Sequence, residues 1–210
     1  MCEVYMSRAI ESSKLVQGIG TKGTLYPTWN GKINLKEYNI WVNMLRRCTE
    51  KLWTKRPTYI GTTCSENFKS YSFFYEWCQT QFGFGNIDEK GKNWQLDKDI
   101  LFKGNKVYSE DTCVFVPHKI NTLITKSDCT RGSYPVGVSL DKNNRKFSAY
   151  CNYGKKIQKY LGSFDTPLQA FLCYKKAKEA YIKQVAEQYK SQIDPRAYKA
   201  LIEYEVHITD

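Results

Sequence analysis

No two of the eight cysteines are spaced CxxC, which argues against a ribbon or finger type of zinc site. No apolar run approaches the roughly 18 residues that a membrane span requires. Glu3, Arg8, Glu11 and Lys14 interrupt the first seventeen residues, so a signal peptide is not expected either. The chain is therefore read as cytoplasmic. Its cysteines, at 2, 48, 64, 78, 113, 129, 151 and 173, are read as reduced thiols packing as small apolar side chains. A Gly-rich phosphate loop, a Ser-His-Asp arrangement, a dinucleotide fingerprint and internal repeats are all absent, so most enzyme classes have no support.

Acidic residues are short as well: 21 Asp and Glu stand against 32 Lys and Arg, a net charge of +11. Such an excess suits a polyanionic partner, because cations that neutralise phosphates release condensed counterions. With 41% hydrophobic and 15% aromatic residues, the 210-residue chain has enough apolar surface for a folded core.

From Tyr134 onward the pattern is periodic. Pro135 to Leu140 alternates, Asp141 to Asn144 is a turn cluster, Lys146 to Asn152 alternates again, and Tyr153-Gly154 marks the next turn. Lys156 to Phe164 completes a three-stranded meander. In the second strand Phe147, Ala149 and Cys151 share one face; Lys146, Ser148, Tyr150 and Asn152 share the other. Thr166, Pro167 and Gln169 signal a helix with a capping box, whose apolar stripe Ala170, Cys173, Tyr174, Ala177, Tyr181 and Val185 is expected to cover the sheet's apolar face. Asp194-Pro195 starts a shorter helix through about Glu205. The uncovered face, with Lys142, Arg145, Lys146, Lys155, Lys156 and Lys159, has dimensions that suit a DNA major groove.

The segment GVSLDKNNRKFSAYCNYGKKIQKYLGSFDTPLQAF resembles the Apetala-type DNA-binding domain of plant transcription factors and phage endonucleases, notably in GVS, KF.AY and YLGSFDTPLQA. The resemblance implies groove-reading positions at Gly137, Ser139, Asp141, Tyr150, Asn152, Gln158 and Tyr160. Several of these are arginines in the plant domains, so a different target sequence is expected.

Upstream, Tyr38, Trp41, Val42, Met44 and Leu45 mark an amphipathic helix closed by Arg46-Arg47, and Pro57 to Cys64 reads as loop then strand. Phe68 to Cys78 is an aromatic run at helical spacing, read as core. Gly83 to Asn93 reads as an exposed loop. Leu96 to Leu101 is expected to be a strand, Lys103 to Lys106 a loop, Cys113 to Val116 a second strand and Pro117 to Ile124 a helix. This LDKDILFKGNKVYSEDTCVFVP stretch, with W.NMLRRC, PTY and C.ENF before it, resembles the phage-encoded HNH-endonuclease family that carries a C-terminal Apetala-type domain.

In that family a histidine beside an aspartate activates water while the aspartate helps hold a divalent metal. Here Asp97 is matched, but Lys98 stands in place of the histidine and Thr112 where an asparagine ligand belongs. A lysine ammonium is a poor base and repels a metal, though it can stabilise developing phosphate charge. The candidate catalytic set is Asp97, Lys98, Asn105 and His118; the candidate magnesium ligands are Asp97, Asp99 and Asp111.

The expected class is α+β: an N-terminal arm (1–36), an HNH-like ββα-containing domain (37–125), a linker (126–133) and an Apetala-like domain (134–210), with a three-stranded antiparallel sheet packed on a helix. The arm is expected to lie over the first domain or along DNA. Double-stranded DNA is the expected partner, and a membrane is not. Three functions stay open: a magnesium-dependent homing-type endonuclease, a cleavage-dead repressor or regulator in a bacterial host, and a blocker of a host protein. A repressor would be a homodimer on a symmetric operator, whereas a homing-type enzyme would bind a long asymmetric site as a monomer.

Overall fold

The computed structural model describes residues 14–125, 133–141, 143, 145–154 and 157–210. They form a mixed α+β structure in two compact units, Met1–Phe84 with Leu96–Val114 and Gly85–Gln95 with Phe115–Asp210.

In the first unit, helix α1 (Lys36–Arg47) buries Trp41, Met44 and Leu45, spaced three and four apart, and ends on Arg46 and Arg47, where cations suit the helix dipole. A short helix α2 (Glu50–Trp53), a 3-10 turn (Pro57–Tyr59) and strand β1 (Thr63–Cys64) follow. The aromatic run is not one helix. It splits into α3 (Glu66–Lys69) and α4 (Tyr71–Thr80), because Ser70 takes an extended backbone and its Oγ accepts from the Phe73 N–H. A serine side chain that satisfies a backbone donor locally competes with helix continuation. The split turns Phe68, Tyr71, Phe74, Trp77 and Cys78 into one core with α1. The Phe68 ring packs edge-on against Phe74 and Trp77 at 5.1 and 4.8 Å.

The segment before α1 is irregular and packs on this core. Thr21 exchanges backbone hydrogen bonds with Lys69 and Tyr71, and Gly20 lies so close to Trp41 and Leu45 that a Cβ there would meet the Leu45 side chain at 2.4 Å.

Strand β2 (Gln95–Asp97) is shorter than the expected Leu96 to Leu101, since Asp97 turns the chain with its own side chain. Strand β3 (Val107–Tyr108) pairs parallel with β1, and β4 (Val114–Val116) pairs with β2. Helix α5 (His118–Leu123) follows β4 directly.

The second unit holds the meander: β5 (Val138–Asp141), β6 (Lys146–Asn152) and β7 (Gln158–Phe164), antiparallel in that order. Helix α6 (Pro167–Tyr189) opens with the expected capping box between Thr166 and Gln169. Helix α7 (Pro195–Ile202) is capped by Asp194. The sheet core joins Cys151, Phe171, Tyr174 and Val206. The buried residues of α6 are Ala170, Phe171, Tyr174, Ile182, Val185 and Ala186; Ala170, Tyr174 and Val185 were expected, whereas Cys173, Ala177 and Tyr181 are only half-buried. Three partners explain the difference: α6 is covered by α5 and α7 as well as by the sheet. Gly137 is required at its place, with φ +77° and the Tyr174 ring 2.2 Å from where a Cβ would lie.

Candidate functional site

The outer face of the sheet is built by cross-strand register. Ser139 on β5, Ser148 on β6 and Ser163 on β7 are direct partners, giving a row of three hydroxyls across the sheet. The next row is Tyr150 with Tyr160, whose ring centroids are 5.5 Å apart, and beyond it stand Asn152 and Gln158. On the other side of the serines, Asp141 pairs with Lys146. Ser148 in the middle of the row is buried, but the exposed hydroxyls of Ser139 and Ser163 and the amides of Asn152 and Gln158 can both donate and accept, so they can answer either kind of group on a ligand.

A bulge creates the tyrosine pair. Ala149 partners Gly162 and Tyr150 partners Tyr160, so Leu161 is left over on β7 and packs against the core cluster instead. Strict alternation from Gly162, which shares the Ala149 face, would put Tyr160 toward the core. With the bulge, Tyr160 comes out beside Tyr150 and remains 53% exposed.

Arg145 is exposed. Lys159, expected on the outer face, is exposed too but partners the core residue Cys151, so alternation sets it on the opposite face from Gln158 and Tyr160. Lys146 forms a solvated ion pair with Asp165 at 3.1 Å, an arrangement that contributes little to stability. Lys142, Lys155 and Lys156 lie outside the described residues, as does all of the expected linker (126–133) except Ser133. Ser163 was not singled out from the sequence, although its position opposite Ser148 follows once the register is known.

The residues with a nuclease resemblance form a braced turn in the first unit. Oδ1 of Asp97 accepts from the N–H groups of Asp99 and Ile100, both at 2.9 Å. The carboxyl is buried, and burial, reinforced by the neighbouring Asp99 charge, pushes its pKa up to about 7. The Lys98 ammonium is buried too. It donates to the Asn105 carbonyl at 2.8 Å and to Asp99 Oδ2 at 3.2 Å, and lies 5.8 Å from the Tyr108 ring centre.

Asn105 answers with its side-chain amide, donating to the carbonyls of Lys98 at 2.6 Å and Val107 at 2.7 Å while its Oδ1 accepts from Val107 N–H. Lys98 and Asn105 therefore clasp the loop between them. Thr112 is likewise engaged, donating to the Val107 carbonyl at 2.7 Å and accepting from Ser109 N–H.

Arg47 belongs to this turn, although the sequence marks it only as a helix-end cation. Its guanidinium donates to the Tyr108 hydroxyl at 2.9 Å, lies 5.6 Å from the Tyr59 ring centre, and feels the Asp97 charge. No local signal could have joined residues so far apart in sequence.

The donor set suits an internal brace better than a divalent ion. One Asp97 oxygen is held by two N–H donors, and the Lys98 ammonium occupies the Asp99 carboxylate where a cation would compete with it. Among the described residues no three His, Cys, Asp or Glu side chains are grouped to hold a metal. Asp111 is exposed on the loop before β4. His118 starts α5 in the second unit, where its Nδ1 is 3.4 Å from Gln95 Oε1, an oxygen that also accepts from Asn121 at 2.7 Å.

The described cysteines at 48, 64, 78, 113, 151 and 173 are all free thiols. Among the described residues no helix is long and apolar enough to cross a membrane. No family model, curated protein or solved structure matches the chain.

Proposed function

We propose that the chain binds double-stranded DNA in a sequence-dependent way, setting the outer face of β5, β6 and β7 into the major groove. The observation that carries the reading is the ordered outer face: Ser139 and Ser163 flanking the buried Ser148, a tyrosine pair and an exposed Asn–Gln pair on one side of the three-stranded sheet. A major groove about 12 Å wide accepts β-structure. Hydroxyls and amides can bond to phosphates or base edges, and aromatic rings can contact thymine methyls. The net charge of +11 supplies the sequence-independent attraction. The likeness of residues 137–171 to Apetala-type domains points the same way.

We place regulation without cleavage ahead of nuclease action, because Asp97, Lys98 and Asn105 are spent on bracing one turn. The HNH-like ancestry of the first unit is retained as part of this proposal, with the likeness at residues 96–117 as its support.

The test is fluorescence anisotropy of the full chain with labelled duplexes over a series of salt concentrations. Binding is expected to weaken steeply with salt. A Tyr150→Ala/Tyr160→Ala double variant is expected to lose about 1–3 kcal/mol of affinity. Leu172→Ala, on the exposed side of α6, should lose none. Unchanged affinity in the double variant would remove the sheet face as the DNA face. Magnesium-dependent nicks by the wild type that vanish in Asp97→Ala would restore the endonuclease reading.

A further inference from the structure

The second unit contains a cavity of about 330 Å3 whose walls include Leu123, Val136, Tyr174, Tyr181 and Tyr204, with Lys178 and Lys119 as its cations and Asp210, itself engaged in a contact of its own, as its carboxylate. That volume lies within the range of small-molecule sites. Tyr181 is held in place, its hydroxyl donating to the Tyr153 carbonyl at 2.6 Å, so its ring is a fixed wall. Lys178 is the polar group that stands out. It lies on α6 one turn beyond Tyr174 and is half-buried, and among the described residues no carboxylate pairs with it. Burial holds its ammonium below the ordinary lysine value, and its electrostatic neighbour is the buried Cys151 thiol.

Nearby lysines are placed differently. Lys175 reaches the Val206 carbonyl at 2.9 Å and Glu179 at 3.1 Å. Lys119, also at the cavity wall, donates to Gln188 at 2.9 Å. A desolvated cation without a counter-charge is a standing cost to the fold, and an anion entering the cavity would offset it.

We propose that this cavity binds a small amphipathic anion, with an aromatic or aliphatic body against Tyr174, Tyr181 and Tyr204 and a carboxylate, sulfonate or phosphate oxygen against Lys178 Nζ. The cavity shares Asn152, at the end of β6, with the outer sheet face, but Lys178 and the three tyrosines lie elsewhere, and the proposal does not depend on DNA binding.

The probe is 8-anilinonaphthalene-1-sulfonate, titrated by fluorescence into the full chain. One saturable site is expected in the wild type. Lys178→Met, which keeps the apolar stem and removes the charge, should weaken binding about tenfold or more. Lys178→Arg should stay within severalfold, and Lys183→Met, on an exposed stretch of the same helix, should bind as the wild type does. On the wild type alone, 1-naphthoate should displace the probe far better than uncharged 1-naphthamide. A wild type with no saturable site, equal competition by the two naphthalenes, or a folded Lys178→Met variant that binds like Lys183→Met overturns the proposal.

Discussion

Replacing Asp97 by asparagine should make the first unit more stable at pH 8 and much less so, by about 1 kcal/mol at most, at pH 4.5. The folded-state pKa of about 7 lies above the ordinary unfolded aspartate value of about 3.9. A carboxyl raised in this way contributes stability that is full below the unfolded value and is lost as pH rises through the folded one. Above pH 7 the fold therefore carries a buried carboxylate that it would sooner hold protonated. A tenfold change in proton affinity is worth about 1.4 kcal/mol, so the ceiling on the cost approaches about 4 kcal/mol.

Asparagine imitates the protonated form. Its Oδ1 can accept from the Asp99 and Ile100 N–H groups as Asp97 does, and its amide can donate to the Asp99 carboxylate as the neutral carboxyl would. Allowing for relaxation around the site, about 1–3 kcal/mol should be recovered at pH 8. The assay is urea unfolding followed by tryptophan fluorescence, which reports chiefly on the first unit, home of Trp29, Trp41, Trp53 and Trp77 among the five tryptophans. Titrating groups away from Asp97 cancel in the difference between variant and wild type, and the neighbouring Asp99 is the one that does not. A variant less stable than wild type at pH 8, or a difference flat across pH 4.5 to 8, would refute the reasoning.

Two further outcomes test the second unit. Thr166→Ala removes the side-chain half of the capping box on α6 and should cost about 1 kcal/mol, read as a fall of a few degrees in Tm. Gly137→Ala forces a side chain into left-handed backbone and into the Tyr174 ring, and should cost about 2–4 kcal/mol; a Tm within a degree or two of wild type would contradict the close approach seen there.

The second unit was readable because its signals are local. The turn cluster after β5 and the alternation of β6 are interactions between neighbours in sequence, and β6 spans the expected Lys146–Asn152. Thr166, Pro167 and Gln169 start α6 through bonds within one turn. The first unit was less readable for the same reason reversed. Ser70 and Asp97 each use a side chain to satisfy backbone donors, and so break elements that periodicity alone would continue. The clasp between Lys98 and Asn105 and the Arg47–Tyr108 bond depend on the path of the backbone between them, and only the first joins residues near in sequence.

By itself, then, the sequence determined the three-stranded meander with its capped helix, the basic character of the chain and which residues of β6 face outward, because each follows from periods of two and 3.6 or from composition. Tertiary structure decided the rest. Register aligned Ser139, Ser148 and Ser163; the Leu161 bulge moved Tyr160 beside Tyr150; burial and hydrogen bonding joined Asp97 and Lys98 to a braced turn; and packing left Lys178 half-buried at a cavity wall with no carboxylate paired to it among the described residues. Each of these depends on which distant groups share a small volume from which water is excluded, a property of the folded chain that no window of sequence contains.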